Sequence, residues 1–186
     1  MNLVLRLLLI MFTAFRAPKF GIWGTGRLDF TVWSSDSRAG GTILPARHFS
    51  YADLGVLDYT VRSGILKALR ANGWSPFVIS KEMKYAKPLR KGDRITFTTR
   101  LIGWRGHYSC LYHEIFRDGD LVAEGHTIGR FVAPPKKPHP TVDLVATKTG
   151  FDGAVSPQLP DRILDAFDRL ETERQARRSA RTLQPK

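Results

Sequence analysis

A single cysteine, Cys110, stands among the 186 residues. An intrachain disulfide is therefore excluded, which fits a reducing compartment. Cys110 lies in an apolar strand pattern, so the residues predict a buried, inert thiol. No two histidine, cysteine or carboxylate side chains stand at a metal-ligand spacing, so neither a metal nor a cofactor is expected. Acidic residues are scarce, 17 against 29 lysines and arginines, giving a net charge of +12 and a pI near 10.3. That balance calls for an anionic partner: nucleic acid, an acidic membrane surface or a phosphate-bearing ligand. No RRM, zinc-finger or P-loop pattern accompanies it, so no nucleic-acid partner is expected. Also missing is an apolar run of the ~20 residues needed to cross a bilayer.

The nearest approach to such a run is at the start, where residues 1–18 read MNLVLRLLLIMFTAFRAP. The apolar stretch from Leu7 to Phe15 is broken upstream by Arg6. No small-x-small cleavage signal follows it, which argues against a secretory leader. Two readings stand side by side. One is an interfacial helix offering Arg6, Arg16 and Lys19 to anionic headgroups. The other is a helix packed on the domain or on a second subunit.

The chain length suits one domain with tails. Leu28, Phe30 and Val32 alternate with polar neighbours, predicting a strand from Arg27 to Ser34. Residues 34–47, rich in Ser, Asp and Gly, read as an ordered loop. Leu54, Leu57, Val61, Ile65 and Leu69 then form one helical stripe, predicting a long helix from His48 to Ala71 stopped at Gly73. Gly55 and Gly64 inside it each cost about 1 kcal/mol relative to Ala, so something must pack closely there. Four strands are expected next, over 74–85, 94–104, 108–116 and 121–132. The tight turns joining all four, at 89–93, 105–107 and 117–120, predict one antiparallel meander. Pro134, Pro135 and Pro138 end the sheet. Extended or poorly ordered chain is expected to Gln158, then a helix from Pro160, then a solvated or disordered basic tail from Arg174. The class is α+β, with one helix burying its stripe against one sheet.

This order resembles the hotdog fold of the 4-hydroxybenzoyl-CoA thioesterase-like family of acyl-CoA thioesterases. Three stretches carry the resemblance. Trp33 is followed by Asp36-Ser37-Arg38-Ala39-Gly40-Gly41. The helix opens Ala46-Arg47-His48-Phe49-Ser50-Tyr51-Ala52-Asp53. Leu89-Arg90-Lys91-Gly92-Asp93 leads through Thr99-Arg100-Leu101 to Gly119 and Leu121–Gly125. The resemblance implies a hotdog domain over 27–134, flanked by an apolar helix over 1–18 and a Pro-rich linker with a basic helix over 135–186. It implies a homodimer or higher assembly, with acyl-CoA bound where subunits meet. A cytoplasmic protein, peripheral to the inner face of a membrane, is expected.

The same resemblance implies a carboxylate two residues beyond Asp36 and a helix-entrance amide seven residues further on. Thioester hydrolysis needs the first to activate water or attack, and the second to hold the oxyanion. Those positions are Arg38, which stays protonated, and Pro45, which has no N–H. Three explanations stay open: another carboxylate acts, the domain binds acyl-CoA or lipid without hydrolysing it, or the loop register differs. Asp53, on the helix, is the first candidate carboxylate, as a second hotdog branch places its own there. Asp36 and His48 are the others, and a His48–Asp53 pair would suit a hotdog dehydratase. Arg38, Gly40, Gly41, Arg47, Lys84 and Arg90 are the candidate ligand-binding residues. Each has a plain structural alternative. Asp53 would favour the helix N-terminus or pair with Arg47, Asp36 would cap the loop, His48 would bond locally, and the basic run from Lys81 to Lys91 would be a solvated edge. His113 and His126, in strand patterns, are read as ordinary packing or surface residues.

Overall fold

A computed structural model describes residues 3–38 and 40–182. Helix α1 spans Leu3–Arg16, strand β1 Thr25–Thr31, helix α2 Pro45–Arg62, helix α3 Ile65–Asn72 and strand β2 Ser75–Tyr85. Strands β3 (Arg94–Arg105), β4 (Tyr108–Arg117) and β5 (Asp120–Val132) follow, then helices α4 (Val142–Lys148) and α5 (Asp161–Thr182). The five strands form one antiparallel sheet in the order β1-β3-β4-β5-β2. The expected α+β architecture, a long helix against a five-stranded antiparallel sheet, is what the chain adopts.

Alternation along the strands gives the sheet two unlike faces. One packs α2 and α3. Its core has Tyr51, Ala52 and Leu54 of α2 against Ile95, Phe97 and Ile115 of the sheet. It continues through Tyr59, Ile65 and Leu69 to Trp104 and Phe131. The opposite face packs α5, with Tyr108, Cys110 and Ile128 against Leu159, Ile163 and Phe167. Cys110 is fully buried there, and burial pushes its thiol up to about 12, so it stays a thiol.

Four expectations change. The four later strands are not one meander: β2 pairs with β5 and not with β3, because the chain after β2 crosses the sheet to the far end of β1, where Leu89 O accepts from the Ile43 amide and Val32 O from the Gly92 amide (both 2.9 Å). The single helix from 48 to 71 is two helices, because Gly64 takes a left-handed φ of 85° and ends the first. Gly55, as expected of a close approach, meets the sheet. A Cβ there would collide with the Thr99 hydroxyl and the Phe97 ring, so the missing side chain lets α2 approach β3. Residues 142–148, expected to be extended, form α4. Its seven residues are too few for periodicity to register, and it is fixed by a Thr141 N-cap accepting from the Leu144 amide (3.3 Å). The basic tail is helical to Thr182, its charges paired along the helix as Glu171–Arg174 (3.1 Å) and Glu173–Arg177 (3.7 Å). Residues 183–186 lie outside the described residues.

Helix α1 packs along α2 and buries Arg6. Its exposed side carries Leu8, Leu9, Phe12 and Phe15. No helix among the described residues is long and apolar enough to cross a membrane.

Candidate functional site in the α2–β2 cleft

Two polar groupings flank α2, one at its N-terminus and one midway. The N-terminal grouping is built on Asp36, which ends a short 3-10 turn after β1. Its carboxylate accepts from the Trp33 amide (3.1 Å), as a loop-capping residue does. Arg6 reaches it from α1, with Nη1 2.9 Å from Oδ2, and both side chains are only 4–5% exposed. Arg6 also donates to Thr31 O (3.0 Å) and lies 5.4 Å from the Phe30 ring centre and 5.8 Å from that of Tyr51. Arg6 is therefore not available to headgroups, a correction to the interfacial reading. Arg47 adds a second cation at 3.7 Å and donates to Ser35 O (3.0 Å). Burial first, and the Asp36 charge second, raise the neighbouring Tyr51 phenol. Asp36 is thus 3% exposed and held by two cations and one backbone amide.

The rest of the loop is open. Pro45 is the first residue of α2, so the position expected to donate an amide cannot. Gly40 and Gly41 have φ of 101° and 80° with open space where side chains would be. Arg38 is exposed beside them. His48 is buried, accepts or donates locally at Pro45 O (3.3 Å) and packs on Tyr85, with burial lowering its basicity. Nothing brings His48 to Asp53 as a pair. Asp58 turns away and pairs with Arg62 (3.3 Å).

Midway along α2 the chemistry is different. Asp53 is 57% exposed and pairs with Lys81 of β2. The expected partner, Arg47, is instead at Asp36. Asp53 shares a helical face with Val56 and Thr60, three and seven residues on. Those two line an apolar cavity of about 70 Å³ between α2 and the sheet. The lining runs from Val56 and Thr127 through Thr60 and Gly129 to Ile65 and Phe131, and is closed by Val142, Val145 and Ala146 of α4. Lys81 stands directly across from Thr127 in the β2–β5 register. Asp53 and Lys81 are outside the lining and stand beyond its end away from α4.

Beneath this end lies a buried polar chain. His113 is fully buried, with Nδ1 3.0 Å from the Thr99 hydroxyl and Nε2 2.9 Å from that of Thr127. Burial, with the nearby Lys81 charge, pushes it down to about 3, so the imidazole is neutral. His126 is on the other face, 3.4 Å from Glu82. The strand pattern gave no signal for the threonine pairing, because the chain's three members come from three different strands. Lys84 and Arg90 are exposed on and after β2, as a solvated edge would be. Among the described residues no His, Cys, Asp and Glu group could hold a metal.

Solved structures share this fold. A 1,4-dihydroxy-2-naphthoyl-CoA thioesterase from Synechocystis is 14% identical, with 68% of this chain and 95% of that one covered and a TM-score of 0.58. The 4-hydroxybenzoyl-CoA thioesterase of a Pseudomonas strain is 15% identical over 67% of this chain and 98% of its own, at 0.59. A Staphylococcus aureus protein solved in complex with CoA is 14% identical over 78% and 95%, at 0.60. No curated protein matches. The family model of the Thioesterase-like superfamily matches residues 32–167. The chain thus belongs to the thioesterase-like superfamily, on a hotdog fold.

Proposed function

We propose that the protein hydrolyses acyl-CoA thioesters, with Asp53 as the carboxylate. The observation that carries this is the Asp53–Lys81 pair next to an apolar cavity, Asp53 three residues before the lining Val56 and Lys81 across from the lining Thr127. Asp53 takes a proton from water, the water oxygen bonds to the acyl carbon, and the carbon–sulfur bond breaks. The departing sulfur takes a proton, giving free CoA thiol and a carboxylate. Lys81 orients Asp53. Arg90, exposed and bridged to Thr42 next to Gly41, suits a phosphate of CoA, whereas Lys84 is on the α5 face beside His126. Structural relatives named as CoA thioesterases support the substrate class. The catalytic unit on this reading is residues 27–134, with 1–18 and 135–186 as extensions.

A panel of acyl-CoA substrates followed by free-thiol release tests it, with binding measured in parallel by calorimetry. Turnover of at least one thioester is expected. Saturable binding with no turnover would instead support an acyl-CoA or lipid binder. That alternative is favoured by one feature: Arg6 and Arg47 sequester Asp36, and Pro45 replaces an amide donor. No such feature favours a dehydratase.

The assembly is a proposal of the same kind. Strand β2 is an edge of 11 residues with Phe77 52% and Val78 40% exposed, which suits pairing with a second copy. Helix α1 presents Phe12 and Phe15 beside Arg16, Lys19 and Arg70, which suits a peripheral position on an anionic, cytoplasmic membrane face. Sedimentation alone and with anionic vesicles reads both. A dimer mass is expected in the first run, and co-pelleting abolished by F12E/F15E in the second. A monomer, or pelleting unchanged by the substitutions, would remove the corresponding proposal.

A further inference from the structure

The cavity lining is mixed in residue type but not in what it offers a ligand. Four of its polar side chains already donate their hydrogens within the protein. The Tyr59 hydroxyl donates to Ile22 O and the Thr60 hydroxyl to Val56 O (2.6 Å). Trp104 Nε1 donates to Asp143 Oδ1 (2.7 Å), and the Ser109 hydroxyl to Gly129 O (3.4 Å). Arg130 follows Ile128 at two residues and stands opposite Tyr108, so its side chain is on the α5 face, over the Phe77 ring. Thr127 keeps spare hydrogen-bonding capacity, but it stands opposite Lys81, at the end near Asp53. Toward α4 the wall is Ile65, Phe131, Val142, Val145 and Ala146.

We infer that the group entering this cavity is an aliphatic acyl chain rather than a hydroxylated aromatic ring, and that α4 sets its length. This rests on the reading of the cleft as an acyl-CoA site. A phenolic hydroxyl carried to the α4 end would exchange its water partners for none, whereas a methyl end loses nothing. Along β5 the lining runs from Thr127 to Phe131, about 13 Å of strand, a length that suits a medium acyl chain. Val145 and Ala146 are on consecutive positions of α4, both buried at the closed end, so their size decides where the chain stops.

The test is a series of butanoyl-, hexanoyl-, octanoyl-, dodecanoyl- and 4-hydroxybenzoyl-CoA, read both by calorimetric binding and by thiol release. Hexanoyl- or octanoyl-CoA is expected to exceed 4-hydroxybenzoyl-CoA about tenfold or more, in affinity or in kcat/KM. Ala146→Leu should move the optimum to shorter chains, and Val145→Ala to longer ones. Two variants of opposite effect keep the test informative if one folds poorly, with circular dichroism reporting folding. Equal handling of the aromatic thioester, or an optimum unmoved by the folded α4 variants, overturns the inference. The chain-length ranking in binding without any turnover would support it while removing the hydrolase reading. Turnover with no ranking would do the reverse. Neither binding nor turnover of any thioester would overturn both.

Discussion

Replacing Asp53 by Asn is expected to lower kcat by about 100-fold or more while the protein stays folded. Asn keeps the shape of Asp but cannot take a proton from water. The stability cost should be small. Asp53 is more than half exposed, and an ion pair in that setting is worth about 0–1 kcal/mol. The comparison that gives the result meaning is Asp36→Asn. Asp36 is buried under Arg6 and bonded to the Trp33 amide, so its loss should lower the melting temperature while leaving kcat per folded molecule within about threefold. Thermal melts and steady-state thiol release separate the two. If Asp53→Asn retained full turnover, or if Asp36→Asn abolished it in a folded protein, the carboxylate would be at the loop and not on the helix.

Arg6→Ala should produce the largest change in stability. The substitution leaves Asp36 buried with only Arg47, at 3.7 Å, to oppose its charge. Breaking a buried ion pair from one side costs about 3 kcal/mol or more. For a chain of this size that corresponds to a fall in melting temperature of roughly 6–12 °C. The loss is expected to begin at α1, because Arg6 is also the residue tying that helix to Thr31. Limited proteolysis should therefore cut within residues 3–16 first. A double variant, Arg6→Met with Asp36→Asn, removes both charges and should recover part of the lost stability. A melting temperature lowered by under ~2 °C in Arg6→Ala would mean that the pair does not hold α1 in place.

These two residues show where reading the chain succeeds and where it stops. Arg6 looked like an interruption in an apolar run, fit for headgroups. In the fold it faces inward, because α1 lies on α2 and the buried Asp36 carboxylate meets it there. Asp53 was legible as a helix carboxylate, but its partner was not. Arg47 is six residues away in sequence, and Lys81 is 28 away. Only the placement of α2 over β2 chooses between them. The Thr99–His113–Thr127 chain was invisible for the same reason, since its members belong to β3, β4 and β5.

Local rules were enough for what is local. Two-residue alternation located the five strands to within a few residues, and turn residues such as Asp118 and Gly119, with φ of 54° and 87°, joined them. The lone cysteine, the basic balance, and Arg38 and Pro45, which can supply neither a base nor an amide, were also fixed by residue identity alone. The tertiary structure decided the rest: that Gly64 divides the helix, that α4 exists and closes a cavity, and which carboxylate is buried and which is open. The physical reason is that helices and strands are written in near-neighbour spacing, whereas a site is made by side chains brought together from distant stretches. Burial, which sets their charge and their access to substrate, exists only once the chain has packed.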